Sequence, residues 1–204
     1  NMPIDYIFHE NDFARIKEKL LEYKEFPAIA FPQHQIFTPD RYFMQSKLCI
    51  ALNKKKFPEI KLNGGNDLCL PTLNNKRIMP EDVPQTNIPI WNYDKVFGTR
   101  ETISNDRARF ARAWYSQFND WGIFGGPSPE EAFNAWFEVM EQRLRKHVNK
   151  LNLDQHPIFL REKLANLTKE QFGYDCFGLV HSVKPGIKDY LKGYRDKFMQ
   201  KRYN

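Results

Sequence analysis

Between Arg107 and Met140 the chain repeats large apolar residues at helical spacing, breaks at a glycine-rich segment, and then repeats them again. Ala111, Trp114, Tyr115, Phe118 and Trp121 fall at i, i+3, i+4, i+7 and i+10. Such a stripe shares one face of an amphipathic helix. Ser128-Pro129-Glu130-Glu131 then supplies an N-cap, a proline at the first helical position and a capping-box glutamate. The helix it starts is expected to run to about Lys150, with Phe133, Trp136, Phe137, Met140, Leu144 and Val148 on one face. The two helices predict an antiparallel hairpin whose rings build a core. GIFGGPS (Gly122–Ser128) between them lacks the Lys-Ser/Thr ending of a phosphate-binding loop, so it reads as helix-ending punctuation.

Around this pair the helical signal continues. A cap at Ser104 or Asn105 is expected to start the first helix, which runs to about Asp120. His156-Pro157 opens a shorter helix carrying Leu160, Leu164 and Leu167, and Thr168 with Gln171 opens another. Lys184-Pro185-Gly186 opens the last, with Ile187, Tyr190, Leu191, Tyr194 and Phe198 as its buried stripe. The C-terminal half therefore predicts a helical bundle of four or five helices.

Upstream the pattern is mixed. Ile4–Phe8 and Ala28–Phe31 read as short strands, and Asn11 or Asp12 caps a helix to about Glu25. Thr38-Pro39-Asp40 has the chemistry of a helix start, which predicts a helix to about Asn53. Five prolines interrupt residues 57–103, and Asn63-Gly64-Gly65-Asn66-Asp67 signals a turn between short strands at Glu59–Leu62 and Asp67–Leu70. The fold class expected is mainly α with a small β component (α+β). Residues 1–103 form a mixed N-terminal region with a Pro-rich connection and residues 104–204 the helical bundle, packed as one continuous body.

Charge narrows the function. The formal net charge is +6 and the surplus is uneven: from Lys184 onward there are seven basic and two acidic side chains. Lys188, Lys192, Arg195, Lys201 and Arg202 are expected to face away from the apolar stripe, and Lys188, Lys192 and Arg195 fall at i, i+4 and i+7, a line that follows a phosphate backbone. Arg107 and Arg109 are secondary candidates beside the aromatic stripe. The leading expectation is a non-catalytic nucleic-acid-binding or nucleoprotein-accessory protein that holds DNA or RNA through phosphate contacts. The heavy use of Phe, Tyr, Lys and Asn fits an AT-rich coding sequence such as that of a phage or mobile element.

Two other classes compete. A protein–protein adaptor or inhibitor acting on host machinery, with an acidic partner, predicts exposed aromatic contacts drawn from Trp91, Phe124 or the tryptophan hairpin. An unrecognised enzyme predicts a polar pocket joining His9 or His34 to carboxylates. The five histidines are scattered, with no HExxH or His-Cys pair, and no nucleophile elbow is present. No cofactor or metal is expected. Cys49, Cys69 and Cys176 are odd in number and far apart, which argues for reduced buried thiols and against a disulfide framework. The segment from Met2 has acids where a leader peptide carries bases, and no apolar run reaches the ~18 residues of a membrane span. These features predict a cytoplasmic protein, in its own cell or a host's, without stable membrane insertion.

Overall fold

The computed structural model describes residues 6–63 and 70–202. The chain divides into two compact units. The first comprises Asn1–Gln35, Met44–Asn92 and Asp196–Asn204, and the second Ile36–Phe43 and Tyr93–Arg195.

The first unit is built on strands. β1 (Tyr6–Phe8) precedes α1 (Phe13–Glu22), which is followed by β2 (Ala28–Thr38) and β3 (Arg41–Leu52). β2 is buried along its whole length. Its alternate residues explain why: Ala28 and Ala30 pack with Ile60, Ile78 and Val83, while Ile29 and Phe31 pack with Ile88 and Ile90. A strand covered on both faces reads as a near-continuous apolar run. β4 (Lys61–Asn63), β5 (Leu70–Leu73) and β6 (Lys76–Arg77) make a separate antiparallel three-stranded sheet. β7 (Ile90–Asn92) lies antiparallel to β1 and parallel to β2, pairing His34 with Trp91. α1 sends Ile16 onto this sheet, as does its C-cap Tyr23, and leaves Phe13 and Leu20 exposed. Residues 64–67 of the expected turn, together with Ile4, Asp5 and Cys69, lie outside the described residues.

The second unit is mostly helical. α2 (Arg100–Phe118) starts five or six residues earlier than the expected caps at Ser104 or Asn105 imply. Thr99 is its N-cap, and the Thr102 N–H donates to Thr99 Oγ1 at 3.2 Å while the Thr99 N–H donates to Thr102 Oγ1 at 2.9 Å. Asn119, in the left-handed region at φ 52°, ends it ahead of the glycines. α3 (Pro129–Leu144) begins at the expected Ser128–Glu131 capping box. It stops short of Lys150 because the chain turns to bury His147 and then forms β8 (Asn149–Lys150), antiparallel to Arg41 and Tyr42 of β3. α4 (Ile158–Ala165) buries Leu160 and Leu164, as its spacing predicts. α5 (Phe172–Asp175) and α6 (Leu179–Ser182) are single turns joined by Cys176, Phe177 and Gly178, all at positive φ. α7 (Ile187–Arg202) closes the chain, and its residues up to Arg195 belong to this unit.

The core of this unit gathers Phe37, Ile103, Phe133, Met140, Leu144, Phe172, Cys176 and Leu179, with Trp136 and Phe137 packed against it. His156 is fully buried. Its Nε2 lies 2.7 Å from the Pro39 carbonyl oxygen and its Nδ1 2.8 Å from the Tyr93 hydroxyl. The carbonyl can only accept, so a neutral His156 carries its proton on Nε2 and accepts from Tyr93 at Nδ1.

Two expectations are corrected here. The fold is α/β in character, not mainly α with a small β component: helix makes up 46% and strand 22%, with a mixed five-stranded sheet ordered β1-β7-β2-β3-β8. The main cause is the span 38–53. Thr38-Pro39-Asp40 is the tight connection of the β2–β3 hairpin and not a helix start. The second correction concerns the bundle. Arg100 lies over the Phe133 ring, Ala132 packs on Ala108 and Ala111, and an Arg112 N–H donates to the Pro127 carbonyl. These contacts run in opposite directions along α2 and α3, as in an antiparallel pair, with the start of α3 beside the middle of α2. Three alanines bring these helices close, and the large rings lie to one side. With α5 and α6 reduced to single turns, the bundle of four or five helices is not formed.

Candidate nucleic-acid interface

α7 is the best candidate because of which side it turns to solvent. It starts where the Gly186 N–H donates to Asp189 Oδ2 at 2.9 Å. It is seated through Gly193, which is buried and touches Val148: a β-carbon at 193 would stand 2.5 Å from Val148 Cγ2. The Lys192 ammonium sits 5.4 Å from the centre of the Phe43 ring. The apolar stripe points elsewhere. Ile187 is 81% exposed and Tyr194 72%, and Tyr190, Leu191 and Phe198 are exposed as well. The residues expected to be core are therefore surface.

At 100° per residue, Ile187, Leu191, Tyr194 and Phe198 share one line, and Lys188, Lys192 and Arg195 run along its edge. Lys188, Lys192 and Arg195 are all exposed. Among the described residues, none of the three has a carboxylate within ion-pair distance. Lys201 and Arg202 fall on the last helical turn, and their side chains lie outside the described residues.

Arg107 and Arg109 are differently placed. Both donate to Asp106, at 2.9 and 2.7 Å, and Lys95 donates to the same carboxylate. Burial alone would raise the Asp106 carboxyl, but these three cations hold it well below the usual carboxylate range. The Arg107 guanidinium also lies 5.6 Å from the Phe110 ring centre. Arg107 is thereby committed to an internal network, whereas the Arg109 side chain keeps most of its surface in solvent.

Trp91 is only 7% exposed, set 5.7 Å from the His9 ring and 5.5 Å from the His34 ring, so it offers no surface to a partner. Phe124 is half-buried against Phe110 and Trp114. Its neighbours are more open: Ile123 is 71% exposed and Phe118 52%. Tyr115 stacks on Trp121 with centroids 4.3 Å apart. The end of α2 is therefore a partly exposed aromatic cluster, where spacing predicts core.

Four of the histidines, His9, His34, His147 and His156, are buried. Burial pushes His34 down to about 4. It pushes His147 to about 3, with Arg143 and Arg41 adding to the effect. His147 lies 4.5 Å from the Phe37 ring. His9 Nδ1 accepts from the Asn11 N–H at 3.1 Å, a local turn contact. One cleft is lined by Leu20, Tyr23, Ile29 and Leu52 among others, and another by Arg100, Glu101, Pro129 and Phe133 among others; neither includes a histidine. Among the described residues no group of His, Cys, Asp and Glu is arranged to hold a metal ion. No helix among them is long and apolar enough to cross a membrane.

Compared with family models, curated proteins and solved structures, the chain matches none of them.

Proposed function

We propose that the chain is a non-catalytic nucleic-acid-binding protein that contacts phosphates through α7. The observation that carries this reading is the row Lys188, Lys192 and Arg195, exposed along one helix edge and free of acidic partners among the described residues. A cation already paired to a carboxylate gains little from a phosphate; an unpaired one releases a counterion from the nucleic acid when it binds. Arg109 is a secondary contact, and Arg107 supports it by sharing Asp106.

The test is a binding titration of a labelled oligonucleotide at increasing salt. The reading predicts affinity that falls linearly in log–log form, with a slope of about −2 to −3 for three phosphate contacts. Affinity that stays flat with salt overturns it.

A second reading, a protein–protein adaptor, is favoured by the aromatic cluster at the end of α2, where Ile123 and Phe118 stand in solvent beside Trp121. Under that reading Ile123→Asp abolishes a partner complex that survives nuclease treatment; a complex lost on nuclease treatment speaks for the first.

A further inference from the structure

We propose that α7 takes single-stranded nucleic acid in preference to duplex, with unstacked bases resting on Tyr190, Tyr194 and Phe198 while Lys188, Lys192 and Arg195 follow the phosphates. The inference rests on the nucleic-acid reading above and adds the kind of strand. Its basis is the apolar face that α7 leaves uncovered. Tyr190, Tyr194 and Phe198 are 48%, 72% and 65% exposed. They recur every four residues, so successive rings stand about 6 Å apart along the helix axis.

A duplex presents phosphates and groove edges, and its bases are already stacked on each other at about 3.4 Å per step along a strand. Docked on α7 it would satisfy the cations and leave the rings against a charged backbone. A single strand offers both parts: a polyanion for the basic edge, and base faces for the rings. Each face has a π surface whatever the base, so stacking of this kind is tolerant of sequence. Charge complementarity also argues for a polyanion over an uncharged apolar partner. The two carboxylates on the described part of α7 stand away from the rings: Asp189 is engaged by the Gly186 N–H, and Asp196, like Asp189, is only half-exposed.

The probe is a fluorescein-labelled single-stranded oligonucleotide of mixed sequence, compared with a blunt duplex of the same length and sequence. Anisotropy is read for the full chain and for two variants, Tyr190→Phe/Tyr194→Phe and Tyr190→Leu/Tyr194→Leu. Both rings are exposed, so thermal melting of the variants is expected to match the parent and shows that each is folded. The proposal expects the single strand to bind about tenfold or more tightly than the duplex, with phenylalanine retaining the preference and leucine losing about tenfold. Equal binding of both forms, unaffected by leucine, overturns the single-strand proposal and leaves the phosphate-binding reading standing. Absence of binding to either form at low salt overturns both. Binding to vesicles containing anionic lipid, with none to oligonucleotide, also overturns both and assigns the face to a membrane surface.

Discussion

Gly193 and Val148 approach so closely that a β-carbon at 193 would lie 2.5 Å from Val148 Cγ2. This contact fixes which side of α7 is buried, and it sets a conflict between two effects. Alanine is the better helix former by about 1 kcal/mol. Overpacking of this kind costs about 1–3 kcal/mol. Packing is expected to win: Gly193→Ala lowers stability by about 1 kcal/mol, read as a lower urea midpoint at unchanged slope. A raised midpoint would show that α7 is not seated on Val148.

Acid sensitivity follows from His34 and His147. Their folded-state values are pushed down to about 4 and about 3 by burial, against an unfolded value near 6.5. The unfolded chain therefore binds more protons as pH falls below about 7. The stability these neutral rings hold is fully present above pH 6.5 and is lost as pH drops through the window toward 4 and 3. Between pH 7 and pH 5 the loss should be about 1–2 kcal/mol per histidine, measured by denaturant titration at each pH.

His147→Leu separates the two contributions. Neither ring nitrogen of His147 finds a hydrogen-bond partner among the described residues, and Phe37 lies against it. An apolar side chain of similar size removes an unsatisfied buried pair of polar atoms. The variant is expected to be as stable as the parent at pH 7 and visibly more stable at pH 5. A large loss at pH 7 would show that the ring has a polar role after all.

The thiols give a readout of packing. Burial raises Cys176 far above its ordinary range, and its Sγ donates to the Phe37 carbonyl at 3.7 Å. Burial likewise pushes Cys49 up to about 11. The thiolate is the reactive form. In a Cys69→Ser chain, a disulfide reagent at pH 8 should label neither thiol within minutes and both once the chain is denatured. Rapid labelling of Cys176 in the folded chain would mean that the α5–α6 connection opens readily.

What was legible in the sequence, and what was not, divides along one physical line. Ser128 and Glu131 announce α3 because a capping box is a local reciprocal bond, complete within four residues. The equivalent pair at α2, Thr99 and Thr102, is just as local yet lacks the glutamate or glutamine that marks such boxes in sequence. Thr38-Pro39-Asp40 carries turn chemistry that serves a helix start or a hairpin equally well. The choice is made by burial of both faces of β2 against residues as distant as Ile78 and Ile88, which no short window contains. The site follows the same rule. Spacing shows which residues of α7 share a face, but not whether anything covers it. Ile187, Leu191 and Tyr194 look like core for that reason and are surface. The basic row beside them was legible because solvated charge needs no distant partner.

The central claim is that the row on α7 binds phosphates, and the most direct measurement compares salt dependence before and after removing it. The full chain and Lys188→Glu/Arg195→Glu are titrated with one oligonucleotide across a range of salt concentrations. The account predicts weaker binding at every salt concentration and a log–log slope shallower by about 1.5 to 2, one increment for each lost phosphate contact. An unchanged slope and affinity in the charge-reversed chain would contradict it.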